Sequence, residues 1–437
     1  MRRLVLCLLA FVFNLAHAAL PIQAWTLPNG ARVLLVETHA IPIIDVSIDF
    51  DAGTRRDPPN KSGLAELVND LLASGTAAAN SEPALNEAQI SDAFADLAAQ
   101  RDGKTGSDRA GIMLRTLSSA AESDAALSLT ARVLAQPSFP EAILTRDKAR
   151  AIAALNEAET KPNVLAGKAF MRALYGNHPY AVSPSAESLG SITRDDLLAF
   201  HRRHYVASRA VIAIVGDVTR SRAEQIARQL TARLPSGADS ALSALPDIAE
   251  MPASEQRLAH PASQAHILIG APALVRGDAD FFALTVGNYI LGGGGFVSRL
   301  MHEVREKRGL SYSVSSSFSP KTQPGPFTIS LQTHKEQSAK ALQVARDVLA
   351  QFLQQGPTAE ELKAAKDNLT GGFALKIDNN RKILNHVALI GYYRLPLDYL
   401  DTWQANIGKV SADDVRAAFR RKIAIDRLAT VIVGVSD

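Results

Sequence analysis

The 437-residue chain predicts an α+β fold of two homologous domains, each a mainly antiparallel sheet with helices packed on one face, joined by a linker. Three observations lead there. The length exceeds what one ordinary hydrophobic core supports. Hydrophobic residues make up 47% and charged residues 21%, with aromatics at only 6%, a globular composition suited to many helices laid on sheets. The third observation is an internal repeat.

The repeat has a constant offset. Thr193–Leu197 opens a helical stretch leading to the β-branched run Val211–Gly216, and Ser411–Val415 does the same before Thr430–Gly434. Asp195 and Asp413 lie 218 positions apart, as do Gly216 and Gly434, and the same offset carries Gly63–Gly75 onto Phe281–Gly293. In both copies Ser or Thr followed by two acids reads as an N-cap with negative charge in the first helical turn. The closing run reads as a buried strand. In the first copy, Ala31–Val36 and Ile43–Phe50 read as strands, with Asn29-Gly30 as the turn before them. Leu64–Leu72 and Ala120–Leu134 read as helices. The stretch 235–256 is rich in Pro, Ser and Gly and reads as the linker, leaving 19–234 and 257–437 as the two domains.

Residues 1–18 read as a cleaved leader. Met1-Arg2-Arg3 supplies the charge, Leu4–Phe13 the short apolar run, and Ala16 and Ala18 the small residues before the cut. This predicts an exported, periplasmic protein. Cys7 is the one cysteine and would leave with the leader, which excludes disulfides, thiolate metal sites and cysteine nucleophiles. The formal charge of +3 falls to +1 without Arg2 and Arg3, so neither nucleic acid nor an anionic membrane is an expected partner.

Gly63–Thr76 resembles the active-site helix of the insulinase/pitrilysin-type zinc peptidases. That family carries H-x-x-E-H, in which two histidines one helical turn apart hold zinc while the Glu takes a proton from bound water. Glu66, Asn69 and Asp70 stand at those positions here. No imidazole is present, and the Asn69 amide cannot serve as a base, so no metal is expected in this chain. The region of the family's further glutamate, about Asp147 to Glu157, offers no clear equivalent. Glu66 and Asp70 alone make a poor site for a hard cation, and His201 with His204 reads as structural. Ala52-Gly53-Thr54, Gly176–Tyr180 and the Val215-Gly216-Asp217 ending match further landmarks, so the resemblance spans nearly the whole chain after the leader.

Gly292–Gly295 precedes a stretch in which Val297, Leu300 and Val304 fall at helical spacing, Gly309 looks like a C-terminal cap and Tyr312 begins a strand. No Gly-Lys-Ser/Thr follows, which argues against a nucleotide. Two readings of the glycines stay open: a flexible break between helices, or bare backbone that lets a peptide approach. The arrangement is similar to the non-catalytic subunit of the mitochondrial processing peptidase, whose glycine-rich loop handles substrate. In the family an Arg and a Tyr seven positions apart reach toward the zinc site and bind the substrate near its scissile carbonyl. Arg305 and Tyr312 match them, against the plainer reading of a surface Arg beside a core Tyr.

The resemblance therefore implies a zinc-less subunit. It would lend Arg305 and Tyr312 to a zinc-bearing homologous partner, the two forming a heterodimer that hydrolyses peptides or unfolded polypeptide. Three rivals remain at this point: a scaffold of the same fold, a peptidase with a non-standard metal site, and a peptide-binding module without a catalytic partner.

Overall fold

In the computed structural model, residues 21–79, 82–237 and 242–435 are described; the expected leader lies outside them. Strands β1 (Gln23–Thr26), β2 (Arg32–Glu37), β3 (Ile43–Phe50), β4 (Gln100–Thr105), β5 (Ala110–Leu117) and β6 (Val211–Gly216) form the first sheet. Strands β7 (Ser254–Ala259), β8 (Gln264–Leu274), β9 (Ser313–Phe318), β10 (Gly325–His334) and β11 (Ala429–Val435) form the second. The first runs β1-β2-β6-β3-β5-β4 and the second β7-β11-β8-β10-β9. Dropping β1 makes the two orders identical. Each sheet has one parallel pair, β2 with β6 and β7 with β11, and is otherwise antiparallel.

The 218-residue offset extends to the helices. Ala120–Ala135 answers Ser338–Gln355, Pro162–Tyr175 answers Asn380–Tyr393, and Arg194–His204 answers Ala412–Lys422, first residue to first residue. The last pair shares its start signal. Thr193 and Ser411 each accept from the third residue onward, and each N–H returns to that residue's carboxylate, Asp196 or Asp414. Two orphan donors of the first turn are satisfied at each site.

The inner strands β2 and β6 are apolar on both faces, and this decides the architecture. On β6, Ile212 and Ile214 join the core formed with the first half's own helices, whereas Ala213 and Val215 join the second half's core. That opposite face is covered by Asn380–Tyr393, through Ile383, Leu384, Val387 and Ile390 against Leu34, Val36, Ala213 and Val215. Contact is close enough that a Cβ on Gly391 would sit 2.5 Å from Leu34 Cδ1. The exchange is mutual. Pro162–Tyr175 lays Ala166, Phe170 and Leu174 on Ala429, Val431 and Val433 of β11. So each sheet carries its own helices on one face and one helix from the other half on the other. Each buried Leu, Ile, Val or Phe in these seams contributes about 1.5–3 kcal/mol. Among the described residues no helix is long and apolar enough to cross a membrane.

Candidate functional site

The helix carrying the degenerate motif, Leu64–Asp70, begins after Gly63, whose φ of +98° suits glycine. The Asp57 carboxylate accepts from Gly63 N at 2.8 Å and Ala65 N at 2.7 Å, capping the first turn. Leu64, Ala65, Leu67, Val68 and Asn69 are buried, and Glu66 and Asp70 project from the other side. Asn69 is fully enclosed; its Nδ2 donates to Gly111 O at 3.0 Å and to the Tyr205 hydroxyl at 3.2 Å. Its Oδ1 has no hydrogen-bond partner among the described residues, and a Cβ on Gly103 would lie 2.7 Å from it. Asn69 is therefore a packing residue, with neither the proton affinity nor the room to activate water.

Asp70 has its carboxyl pushed up to about 6, chiefly by partial burial, then by the charges of Glu66 and Asp147, with Arg101 opposing. Asp147, on the Glu141–Ala158 helix, is thus the acid that faces the motif, in the stretch where sequence reasoning found no equivalent. It is held by Arg146 at 2.7 Å, while Glu157 turns to the surface and pairs with Lys161. Zinc does not fit this helix: the three motif positions offer two outward carboxylates and no imidazole, and the Asn69 amide is enclosed in the core on the other side. Among the described residues no group of three or more His, Cys, Asp or Glu side chains is placed to hold a metal. His201 donates from Nε2 to Leu134 O at 2.8 Å and His204 from Nδ1 to Asp51 O at 2.9 Å, so both are structural.

In the second half, Gly309 has the positive φ of a helix terminator, and Leu310 N returns to Val304 O. The segment before it differs from the expected helix. Gly295–Val297 is a 3₁₀ turn and Met301–Glu306 a wider π turn, with Leu300 and Val304 buried and Val297 exposed. Tyr312 stands just ahead of β9 rather than in it. The glycine run is packed at its start: a Cβ on Gly292 would lie 2.5 Å from Ser316 N on β9, so that glycine lets the chain approach a strand. Gly293 would meet the Asn288 side chain and Gly294 the Tyr289 carbonyl, whereas Gly295 faces open space at φ +62°. Arg305 and Tyr312 do come together. The Arg305 guanidinium lies 4.9 Å from the Tyr312 ring centre and 4.9 Å from that of Phe296, held by cation–π attraction. Tyr312 is 79% exposed and Phe296 65%. Phe296 is the member sequence reasoning missed; an aromatic at the end of a glycine run was its signal. Among the described residues no hydrogen bond, ion pair or ring contact joins this group to Glu66, Asn69 or Asp70.

Residues 32–185 match the family described as insulinase (peptidase family M16), and residues 191–369 match its "Peptidase M16 inactive domain". A solved structure of a peptidase M16 inactive domain from Pseudomonas fluorescens is 38% identical, covering 95% of this chain and 98% of that one, with a TM-score of 0.89. The chain belongs to the insulinase (M16) family. Among relatives, an uncharacterized zinc protease of Streptomyces coelicolor is 25% identical over 92% of this chain and 88% of its own length. A "non-peptidase homolog" YmxG of Helicobacter pylori is 28% identical over 99% and 98%. With the altered motif, these matches support a non-catalytic M16 chain.

Two of the landmarks shared with the family, Ala52–Thr54 and Gly176–Tyr180, lie at the joint between the M16 halves. Gly53 is pressed against the Ser107–Arg109 backbone, where a Cβ would sit 2.4 Å from Ser107 O. That turn presents Asp108, 3% exposed, to both halves. The Asp108 carboxylate accepts from Arg55 Nη1 (3.1 Å), Tyr180 OH (2.6 Å), Tyr393 OH (2.8 Å) and Thr322 N (2.9 Å), and its carbonyl accepts from Tyr392 OH (2.6 Å). Burial alone would raise this carboxyl; the Tyr180 hydroxyl, the Arg55 charge and the other donors outweigh it and hold it below the ordinary range. Beside it, His178 Nε2 donates to Gln323 Oε1 at 2.6 Å and Tyr175 OH to Pro324 O at 3.0 Å. Gly176–Tyr180 is therefore half of a clasp between the two halves. The linker is tied in as well: Arg56 donates to Ser243 O at 2.7 Å and Gln323 to Pro246 O at 2.9 Å.

Proposed function

We propose that this chain is the zinc-less subunit of an exported two-subunit metallopeptidase, lending Arg305 and Tyr312 to a zinc-bearing homologue that hydrolyses peptides. The observation that carries this reading is a contrast within one molecule. The motif helix has been rebuilt as core around Asn69, while Arg305 stays half-exposed between the open rings of Phe296 and Tyr312. A half-exposed guanidinium beside an exposed phenol can donate to charge developing on a carbonyl oxygen. The glycines beside them, above all Gly295, leave backbone for a peptide to approach. The leader-like residues 1–18 support export, and the periplasm is the compartment proposed.

The test is to co-purify the chain with its zinc-motif homologue from the same cell and assay peptide cleavage. Arg305→Ala is expected to lower turnover by about 10²–10³-fold, the scale of removing one oxyanion donor, with assembly intact. Chelator-sensitive cleavage by this chain alone would refute the reading. A scaffold subunit of the same fold is the second reading, favoured by the engagement of Arg305 with both neighbouring rings; unchanged turnover in the Arg305→Ala pair would select it.

A further inference from the structure

The two sheets match strand for strand except at one end. In the first, β1 lies antiparallel on the outer side of β2, so the parallel pair β2–β6 has a neighbour beyond it. In the second, β7 stands in the place of β2. It pairs with β11 alone, and among the described residues no strand lies beyond it. Exposure follows: Val33–Val36 of β2 are buried, whereas Glu255, Gln256, Arg257, Leu258 and Ala259 of β7 are all exposed. The Ser254 N–H points inward, to Leu428 O just ahead of β11. The alternation of a strand then turns Gln256 inward too and leaves the N–H and C=O of Glu255 and Arg257 on the outer side. Proteins commonly guard such a row of unpaired groups with proline, lysine or a bulge. The six residues of β7 include neither proline nor lysine, and the one register shift against β11 falls at its last residue.

We propose that β7 is a dimerisation edge, pairing antiparallel with β7 of a second copy of this chain across a two-fold axis through Gln256. A two-fold axis makes the two strands antiparallel, the direction in which β1 seats on β2. In this register Glu255 of each copy faces Arg257 of the other, so the outward backbone groups of both are satisfied and unlike charges oppose each other twice. Sliding by two residues either way would set Arg257 against Arg257 or Glu255 against Glu255, so charge selects the register. The charged groups are already on one face. Glu255 accepts from Arg257 at 2.7 Å and from Arg346 of the Ser338–Gln355 helix at 2.9 Å, and these partners hold its carboxyl below the ordinary range against the effect of burial. The bond to Arg257 is the exposed kind that contributes little in water, which leaves that guanidinium free to reach a carboxylate on the neighbouring strand. On the opposite face Gln256 meets its own copy, with Leu258 across from Ser254 on either side. Ile425, 49% exposed, borders the same edge beside Glu255 and Arg346 and adds apolar area to the contact. β7 and β9 are opposite ends of the second sheet, so this surface is clear of Arg305 and Tyr312 and does not rest on the proposed zinc-bearing partner.

The experiment is sedimentation equilibrium of the full chain. A dimer half-formed at about 10 μM is expected, the weak end that suits a small polar contact. A native chain still monomeric at about 100 μM, ten times higher, would overturn the proposal. Glu255→Arg and Arg257→Glu each set like charges opposite one another and should weaken association about tenfold or more. Mixing the two variants puts Arg against Glu at both positions and should restore dimerisation, which an unfolded variant could not do. Arg257→Pro removes an outward N–H while sparing the bonds to β11, and it too should weaken the dimer. Thermal melting compares the fold of each variant with that of the native chain. Undiminished dimerisation of either charge reversal, or no recovery when the two folded variants are mixed, would overturn the proposal.

Discussion

Replacing Asp108 by alanine should loosen the joint between the two halves. The substitution strips a partner from three donors, the buried Tyr180 OH and the part-buried Tyr393 OH and Thr322 N–H. Arg55 keeps Asp51 at 3.0 Å and Tyr392 at 3.3 Å, so it is weakened rather than orphaned. Breaking one side of a buried ionic network costs about 3–5 kcal/mol, and three unsatisfied donors at about 1–3 kcal/mol each, relieved in part by entering water, give the same range. Urea titration followed by tryptophan fluorescence and by circular dichroism measures it. The native chain should unfold in one transition, and the variant should lose about 4 kcal/mol, with the two probes separating as the halves uncouple. Asp108→Asn adds a pH test. The folded carboxyl is held below its ordinary 3.8, so the advantage of the native chain over this variant is full above that value. It shrinks as pH falls through the folded-state value. A loss below about 1 kcal/mol in Asp108→Ala, within the range of an ordinary single hydrogen bond, would refute the idea that this residue holds the joint.

Two further outcomes follow from the buried groups. Burial pushes His201 and His204 down to about 4 from 6.5. The unfolded chain takes up their protons first, so the stability they confer is present above pH 6.5 and is lost as pH falls toward 4. Between pH 7 and pH 5 each should cost about 2 kcal/mol by linkage, and His201→Gln should flatten that slope in urea titrations; an unchanged slope would contradict it. Asn69→Leu removes the hydrogen bonds to the buried Tyr205 hydroxyl and to the Gly111 carbonyl and should destabilise by about 2–3 kcal/mol. A variant as stable as the native chain would show that the amide is not a packing residue.

The duplicated architecture was legible because it rests on local signals repeated at one offset. Thr193 and Ser411 with their following acids, and the two β-branched runs ending in Gly216 and Gly434, need only their neighbours in sequence. The exchange of helices was not legible. The spacing of Ile383, Leu384, Val387 and Ile390 says that a face is buried, yet says nothing about which sheet receives it. Asp108 was missed for a similar reason: in the turn Gly106–Arg109 an aspartate is commonplace, and its partners come from four distant segments. Asp147 sits beside Arg146 in a polar helix, where no periodicity marks it. At the candidate site, sequence paired Arg305 with Tyr312, and the structure puts them side by side. Phe296 carried only the weak signal of an aromatic closing a glycine run, and three dimensions were needed to show that it shares the Arg305 cation with Tyr312.

The mutual exchange of covering helices has a consequence for biosynthesis. The first sheet is built from residues up to Gly216, but the helix that seals it, Asn380–Tyr393, is made more than 160 residues later. Until then Leu34, Val36, Ala213 and Val215 stay open to water, and the half-made chain presents an adhesive surface. A nascent chain of this kind gains from remaining unfolded until synthesis is nearly done. Cutting the finished protein at the linker should accordingly give two fragments that stay together, since each carries the other's lid.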